Sequence, residues 1–282
     1  MAEPALLTFD LVVATVDRTD ELGALLGSLE RQSHGAFRVL VVDQNEDDRL
    51  ASVLECHPAL DVVRVRSSRG LSRARNAALP QLAADAVGFP DDDCIYPAVL
   101  LERIARLLAA RPQLDGVTGR LVDASGAVSS SWEQAGAVLT EGNLWNRAAS
   151  GTTFLRRRVV ERVGLFDERL GLGAPTHWPS GEEIDYLVRA VRTGARIEYD
   201  PELTVIHEEQ PAGSDVMTAI GARDGGSVGY ILRKHRYPPA TVARMLVRPA
   251  GGAFLSLARG DRARARFHAA TLRGRIAGYR GA

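Results

Sequence analysis

The chain has 282 residues, 45% of them hydrophobic and 25% charged, which is enough apolar material to bury a sizeable core and excludes a disordered chain. Its 35 basic and 35 acidic residues cancel, but unevenly: between Arg233 and Ala282 twelve Arg or Lys face the single acid Asp261, a net of +11, so the rest carries −11. No stretch reaches the roughly twenty uncharged apolar residues that crossing a bilayer requires.

The opening segment, "MAEPALLTFDLVVATVD", carries Glu3 and Asp10 and lacks a basic n-region, so no secretory leader, a cytoplasmic location and free thiols at Cys56 and Cys94 are expected. The β-branched runs at 9–16 and 37–43 predict strands. Between them Leu22, Leu25, Leu26 and Leu29 recur at helical spacing behind Thr19 and Asp20, which are placed to cap. That βαβ pattern predicts parallel strands buried on both faces. A strand at 61–66, a helix at 71–83 and a strand at 86–89 follow, and Pro97 is read as opening a helix. From 113 to 150 the pattern loosens into a Gly- and Ser-containing stretch with Trp132 and Trp145. Beyond it come a strand with a short helix, then a helix at 181–194 with Ile184, Leu187, Val188 and Val191 on one side, then two short β segments ending at His207.

Asp91, Asp92 and Asp93 stand side by side where the chain leaves the strand at 86–89. In open α/β sheets ligands collect at the carboxyl ends of strands. Three like charges there favour a bound cation, and hard oxygen donors suit Mg²⁺ or Mn²⁺ bridging to a diphosphate. A solvated turn is the alternative reading of the triplet. Cys94 is read as packing, since a hard ion would not choose its thiol.

The triplet, with "VVDQNEDD" and "GLSRARNAAL" before it and "VGLFDERLG", "GEEIDYLVRA" and a histidine after a strand behind it, resembles the family 2 glycosyltransferases over about residues 8–210. The resemblance implies the GT-A fold, an α/β mixed sheet flanked by helices, here with a basic helical extension. It implies a catalytic domain at 1–212, with a nucleotide-binding half at about 8–112 and an acceptor half at about 113–212; the basic helical region at 213–282 is read from its charge and spacing and lies beyond the resemblance. It further implies an inverting transfer from a nucleotide-diphosphate sugar, a UDP-sugar first among the candidates, to a saccharide, lipid-linked or small-molecule acceptor. The nucleotide is then expected near Ala14, Thr15, Asp17, Arg18, Asp43, Gln44, Arg75, Asp91 and Asp92. Where the family commonly has D-D or D-N after the second strand, this chain has Asp43-Gln44. Asp93 and His207 are expected on the metal, Mn²⁺ or Mg²⁺. Glu183, in the place of the third residue of the family's G-E-D-x-D-L motif, is the expected general base. Glu182 and Trp178 are the expected acceptor contacts, because aromatic rings pack against sugar C–H faces.

In the tail, Ala265, Ala269, Leu272, Ile276 and Tyr279 follow helical spacing, flanked by arginines. The segment either docks on anionic lipid at the inner face of a membrane or packs on the catalytic domain, and its narrow, alanine-rich stripe favours packing. Nucleic acid is not expected, since no aromatic residues interleave with the arginines. A nucleotidyltransferase is a rival reading, but "ATVDRTDE" lacks a glycine-rich phosphate turn. A non-catalytic sugar-nucleotide-binding protein is the other.

Overall fold

A computed structural model describes residues 7–128, 132–207 and 213–281, so the expected domain boundary at residue 212 lies outside the described residues. The chain divides into two compact units. The first comprises Met1–Arg69, Arg73–Phe166 and Tyr186–Glu209; the second Gly70–Ser72, Asp167–Asp185 and Gln210–Ala282.

The first unit is built on one mixed sheet. Its strands are β1 (Phe9–Thr15), β2 (Phe37–Asp43), β3 (Val62–Arg66), β4 (Ala86–Gly88), β5 (Cys94–Ile95), β6 (Gly116–Val122), β7 (Ala137–Val138), β8 (Thr153–Arg156) and β9 (Ile197–His207). They lie in the order β3-β2-β1-β4-β8-β6-β9-β5, with β7 pairing on β9. β1 pairs in parallel with both β2 and β4, whereas β8 runs antiparallel to β4 and β6. All seven residues of β1 are buried, which explains its mostly apolar character. The polar exception, Asp10, is also fully buried, and it is satisfied by Arg38 and by the backbone N–H groups of Ala83 and Ala84 at 2.7 and 2.9 Å. Helix α1 (Asp20–Glu30) buries Leu22, Leu25, Leu26 and Leu29 in the same core as Phe9, Leu11 and Val13. Each such leucine contributes roughly 1.5–3 kcal/mol of apolar burial.

The structure departs from the sequence reading in several places. The loose stretch after 113 contains β6, a central strand; Gly116 and Gly119 obscure it because glycine carries no β signal. Gly119 sits where β6 changes register against β9, and a Cβ there would stand 1.9 Å from the carbonyl oxygen of Leu203. The two β segments expected before His207 are one strand, β9, that continues through Pro201. A short helix, α2 (Ala51–Glu55), follows β2. Pro97 lies in a turn whose carbonyl accepts from the N–H of Leu100, and α4 starts only there (Leu100–Ala110). Helix α5 (Arg157–Val163) occupies its expected place, whereas α3 (Leu71–Ala78) stops short of the expected 71–83, since Pro80 turns the chain into a 3-10 turn at Leu79–Gln81.

The second unit holds α7 (Ser214–Lys234), α8 (Pro239–Ala258) and α9 (Arg262–Gly281), together with the chain before and into the start of α6 (Glu182–Arg192). Helices α7 and α9 approach closely along a glycine seam. A Cβ on Gly225, Gly229, Gly274 or Gly278 would come within 2.5 Å of a backbone oxygen of the facing helix. Small residues every fourth position let two backbones meet this way. Among the described residues no helix is long and apolar enough to cross a membrane.

Candidate active site

The strand ends assemble the first unit's polar cluster. Thr15 at the end of β1 lies opposite Asp43 at the end of β2, and Ala14 forms an isolated bridge to Asp91 just beyond β4. Parallel pairing therefore delivers the loops after three strands to one edge. There the guanidinium of Arg18 donates to Asp92 at 2.8 Å and to Asp93 at 2.5 Å. The two-residue strand β5 pairs antiparallel with β9, setting Cys94 opposite His207, and His207 Nε2 lies 3.3 Å from Asp93 Oδ1.

Neighbouring carboxylates are tuned apart. Burial raises Asp92 above its ordinary value, against the pull of the Thr15 hydroxyl and Arg18. Burial pushes Asp93 upward as well, but His207 and Arg18 outweigh it and hold the carboxyl down at about 2. Asp93 is thus ionised and available to a cation at neutral pH. Arg75, read from sequence as either a donor contact or a solvated side chain, is 1% exposed; it reaches Asp91 at 3.2 Å and also bonds the Ser150 hydroxyl. Cys94 is buried and its thiol is pushed well up, by burial first and then by the nearby aspartates, which agrees with a packing role.

Asp43 and Gln44 anchor the second part of the cluster. Fully buried, Asp43 accepts from the Arg64 guanidinium at 2.7 and 2.9 Å and from the backbone and side-chain N–H groups of Asn45 at 2.9 and 2.8 Å. Burial pushes this carboxyl up, but those donors prevail and hold it below its ordinary value. The Gln44 backbone N–H donates to the Thr15 carbonyl at 3.1 Å, tying the ends of β1 and β2. Asp17 adopts a left-handed backbone, φ 60°, fixed by its N–H bond to Asn45 Oδ1 at 2.8 Å. Its carboxylate pairs with Arg49 at 2.8 Å and Arg69 at 2.7 Å. Sequence reasoning missed Asn45, Arg64, Arg66 and Ser150. A signal was present in "VRVR", since alternate residues of a strand share a face and Arg64 and Arg66 both turn to Asp43.

Asp93 and His207 together offer a carboxylate oxygen and an imidazole nitrogen, donor types that suit Mn²⁺ and, less well, Mg²⁺. A cation, the Arg18 guanidinium, already rests on Asp92 and Asp93. This donor set would fit a divalent ion that takes its remaining ligands from outside the protein. Among the described residues no three His, Cys, Asp or Glu side chains form a metal-holding group by themselves.

The remaining expected residues lie in the second unit. Gly181, φ 82°, turns the chain into α6, and a Cβ there would meet Ile231 at 2.7 Å. Glu182 is buried and Glu183 half-buried in the first turn of α6, where acids oppose the positive end of the helix dipole. Two residues on, fully buried Asp185 takes Lys234 at 2.6 Å and His235 at 2.7 Å. Asp167 accepts from the Tyr230 hydroxyl at 2.8 Å and from Lys234 at 2.7 Å. Trp178 stacks on Tyr230 with centroids 4.1 Å apart, and Arg169 lies over both rings. The segment leading to Glu183 is therefore pinned to α7. Trp178 lines a groove of about 870 Å³ with Pro175, His177, Ala222 and Gly278.

The sequence profile of Glycosyl transferase family 2 matches residues 10–163. The pre-mycofactocin glycosyltransferase of Mycobacterium tuberculosis is 27% identical over 233 residues, 78% of this chain. The chain spans 46% of that relative's length. Among solved structures, the mannosyltransferase PcManGT from Pyrobaculum calidifontis in complex with GDP-Man and Mn²⁺ superposes with a TM-score of 0.67 at 18% identity, covering 96% of this chain and 86% of that one. S. aureus TarS in complex with UDP-GlcNAc gives 0.62 at 16% identity, covering 92% and 90%. These likenesses show the fold.

Proposed function

Since the chain belongs to Glycosyl transferase family 2, we propose that it moves a glycosyl group from a nucleotide-diphosphate sugar to an acceptor hydroxyl with inversion at the anomeric carbon. In this reading residues 8–112 bind the nucleotide of the donor and residues 113–212 bind the acceptor. Asp17, Asp43 and Gln44 meet the base and ribose at the ends of β1 and β2, beside the backbone of Ala14 and Thr15. Asp91 takes the ribose side, Asp92 serves either the ribose or the metal, Arg75 braces Asp91, and Arg18 offers positive charge to the diphosphate. Asp93 and His207 hold a Mn²⁺ or Mg²⁺ ion, which when bound neutralises charge on the departing nucleoside diphosphate.

Glu183 removes the proton from the acceptor hydroxyl as that oxygen attacks the anomeric carbon. The bond from that carbon to the β-phosphate oxygen breaks, and its electron pair leaves with the nucleoside diphosphate. General base catalysis of this kind is worth about 10² to 10⁴ in rate. Glu182 and Trp178 contact the acceptor.

The observation that carries the reading is the placement of Asp93 against Arg18 and His207 at the carboxyl ends of the strands. The complexes of PcManGT with GDP-Man and Mn²⁺ and of TarS with UDP-GlcNAc support it by fold likeness. The test is incubation with UDP-, GDP- and dTDP-sugars and Mn²⁺, following nucleoside diphosphate release. Release that disappears in Asp93→Ala supports the proposal. Pyrophosphate release would point instead to nucleotidyl transfer, and donor binding without turnover in the presence of acceptor sugars to a binding protein.

A further inference from the structure

Helix α8 turns apolar side chains toward water. Phe254 is 72% exposed, Val247 66%, Leu257 61% and Leu255 54%, while Val242, Pro249 and Ser256 form its buried side. At about 100° per residue, Ala243, Val247, Ala250, Phe254 and Ala258 fall on one outward stripe. Arg244, Arg248 and Arg259, all exposed, follow one edge of it. The helix contains no Asp or Glu, and at about 1.5 Å per residue its twenty residues make a strip roughly 30 Å long. Exposed apolar surface of this extent marks a place where something else sits.

Sequence spacing leaves α9 either on lipid or packed, and its narrow stripe favours packing. In the structure α9 is occupied: Ala265, Ala270 and Gly278 are buried, and Gly274 and Gly278 face the backbone of α7. The open apolar surface belongs to α8, a helix whose outward stripe reads in sequence like an inward one.

The charge of this region selects the occupant. Residues 233–282 carry a net +11, and no described helix is suited to span a bilayer. A second copy of the chain seated on the same stripe would bring Arg244, Arg248 and Arg259 against like charges, which opposes association. An anionic lipid surface takes both the apolar stripe and the arginine edge. We propose that α8 is an interfacial helix that docks the protein on an anionic bilayer surface, with Val247, Phe254 and Leu257 entering the headgroup boundary and Arg244, Arg248 and Arg259 meeting lipid phosphates. The inference is independent of the assigned reaction.

The test is co-sedimentation of the full chain with vesicles of phosphatidylcholine alone and of phosphatidylcholine mixed with phosphatidylglycerol. Binding should require phosphatidylglycerol and weaken as salt rises, because the arginine contribution is screened. Val247→Asp combined with Phe254→Asp should lower vesicle affinity at least about tenfold. Arg244→Glu combined with Arg248→Glu should lower it by a similar factor. All four positions lie on the exposed side of α8, so circular dichroism and nucleotide-sugar turnover should stay unchanged. In a Phe254→Trp variant, mixed vesicles should shift the emission to shorter wavelength. Equal binding to both kinds of vesicle, equal binding by wild type and variants, or no binding at all would overturn the proposal. So would a concentration-dependent dimer, without vesicle binding, that Phe254→Asp dissolves.

Discussion

Asp43, Asp91, Asp92 and Asp93 at the strand ends each rest on an arginine, whereas α7 and α9 meet through glycines that place backbone against backbone. The first arrangement stores charge in a fixed geometry. At Asp92 burial outweighs what the partners return, whereas at Asp43 and Asp93 the partners prevail and the charged form is favoured. The second arrangement gains from close contact of backbones and tolerates no added atom. Acid should therefore erode the first, and volume should break the second.

The largest expected effect lies with the chemistry. Glu183→Gln keeps the size of the side chain and removes its basicity, so kcat should fall about 10² to 10⁴ while donor affinity stays within about twofold. Initial rates and calorimetric donor titration check this. An equal loss in both would reduce Glu183 to a structural residue.

Next comes the seam. A Cβ on Gly229 would lie 2.1 Å from the carbonyl oxygen of Arg275 and 2.7 Å from the N–H of Tyr279, atoms that do not yield. Gly229→Val should cost about 3 kcal/mol or more in chemical denaturation. Gly251, also helical but with nothing within 4 Å, is the control: Gly251→Ala should gain about 0.5–1 kcal/mol. Similar outcomes at the two sites would dissolve the contrast.

Acid sharpens the charged side of the comparison. Asp43 is held below its ordinary 3.8, so its contribution to stability is complete above that value and fades as pH falls through the lower folded value. Asp43→Asn should cost about 1–3 kcal/mol near neutrality and flatten the stability loss below about pH 4. Denaturation midpoints across that range measure both. The smallest effect belongs to Arg64→Lys, which keeps the charge and loses the two-pronged contact with Asp43, for about 1 kcal/mol or less.

Much of the sheet was legible because its first strands are buried on both faces and α1 shows its leucine stripe without interruption. The mixed α/β fold expected from the ordered motifs is the one found. β6 was hidden by its glycines; α7 falls inside the expected helical region at 213–282, but four glycines of low helix propensity mask where it begins and ends. β5 is two residues long, too short for any periodicity, yet it sets His207 beside Asp93. The partners of Asp43 were written as alternate arginines in β3, a pattern equally typical of a half-exposed strand. For α8, periodicity shows a stripe but not which side meets water.

The central claim is that Asp93, with His207, receives a divalent ion bound to the donor's diphosphate. A crystal structure of the protein with Mn²⁺ and a nucleoside diphosphate tests it most directly. The expected result is manganese in contact with Asp93, His207 and the β-phosphate, and Arg18 drawn away from Asp93. A nucleotide bound elsewhere, with Arg18 still on Asp92 and Asp93 and no metal beside them, would contradict it.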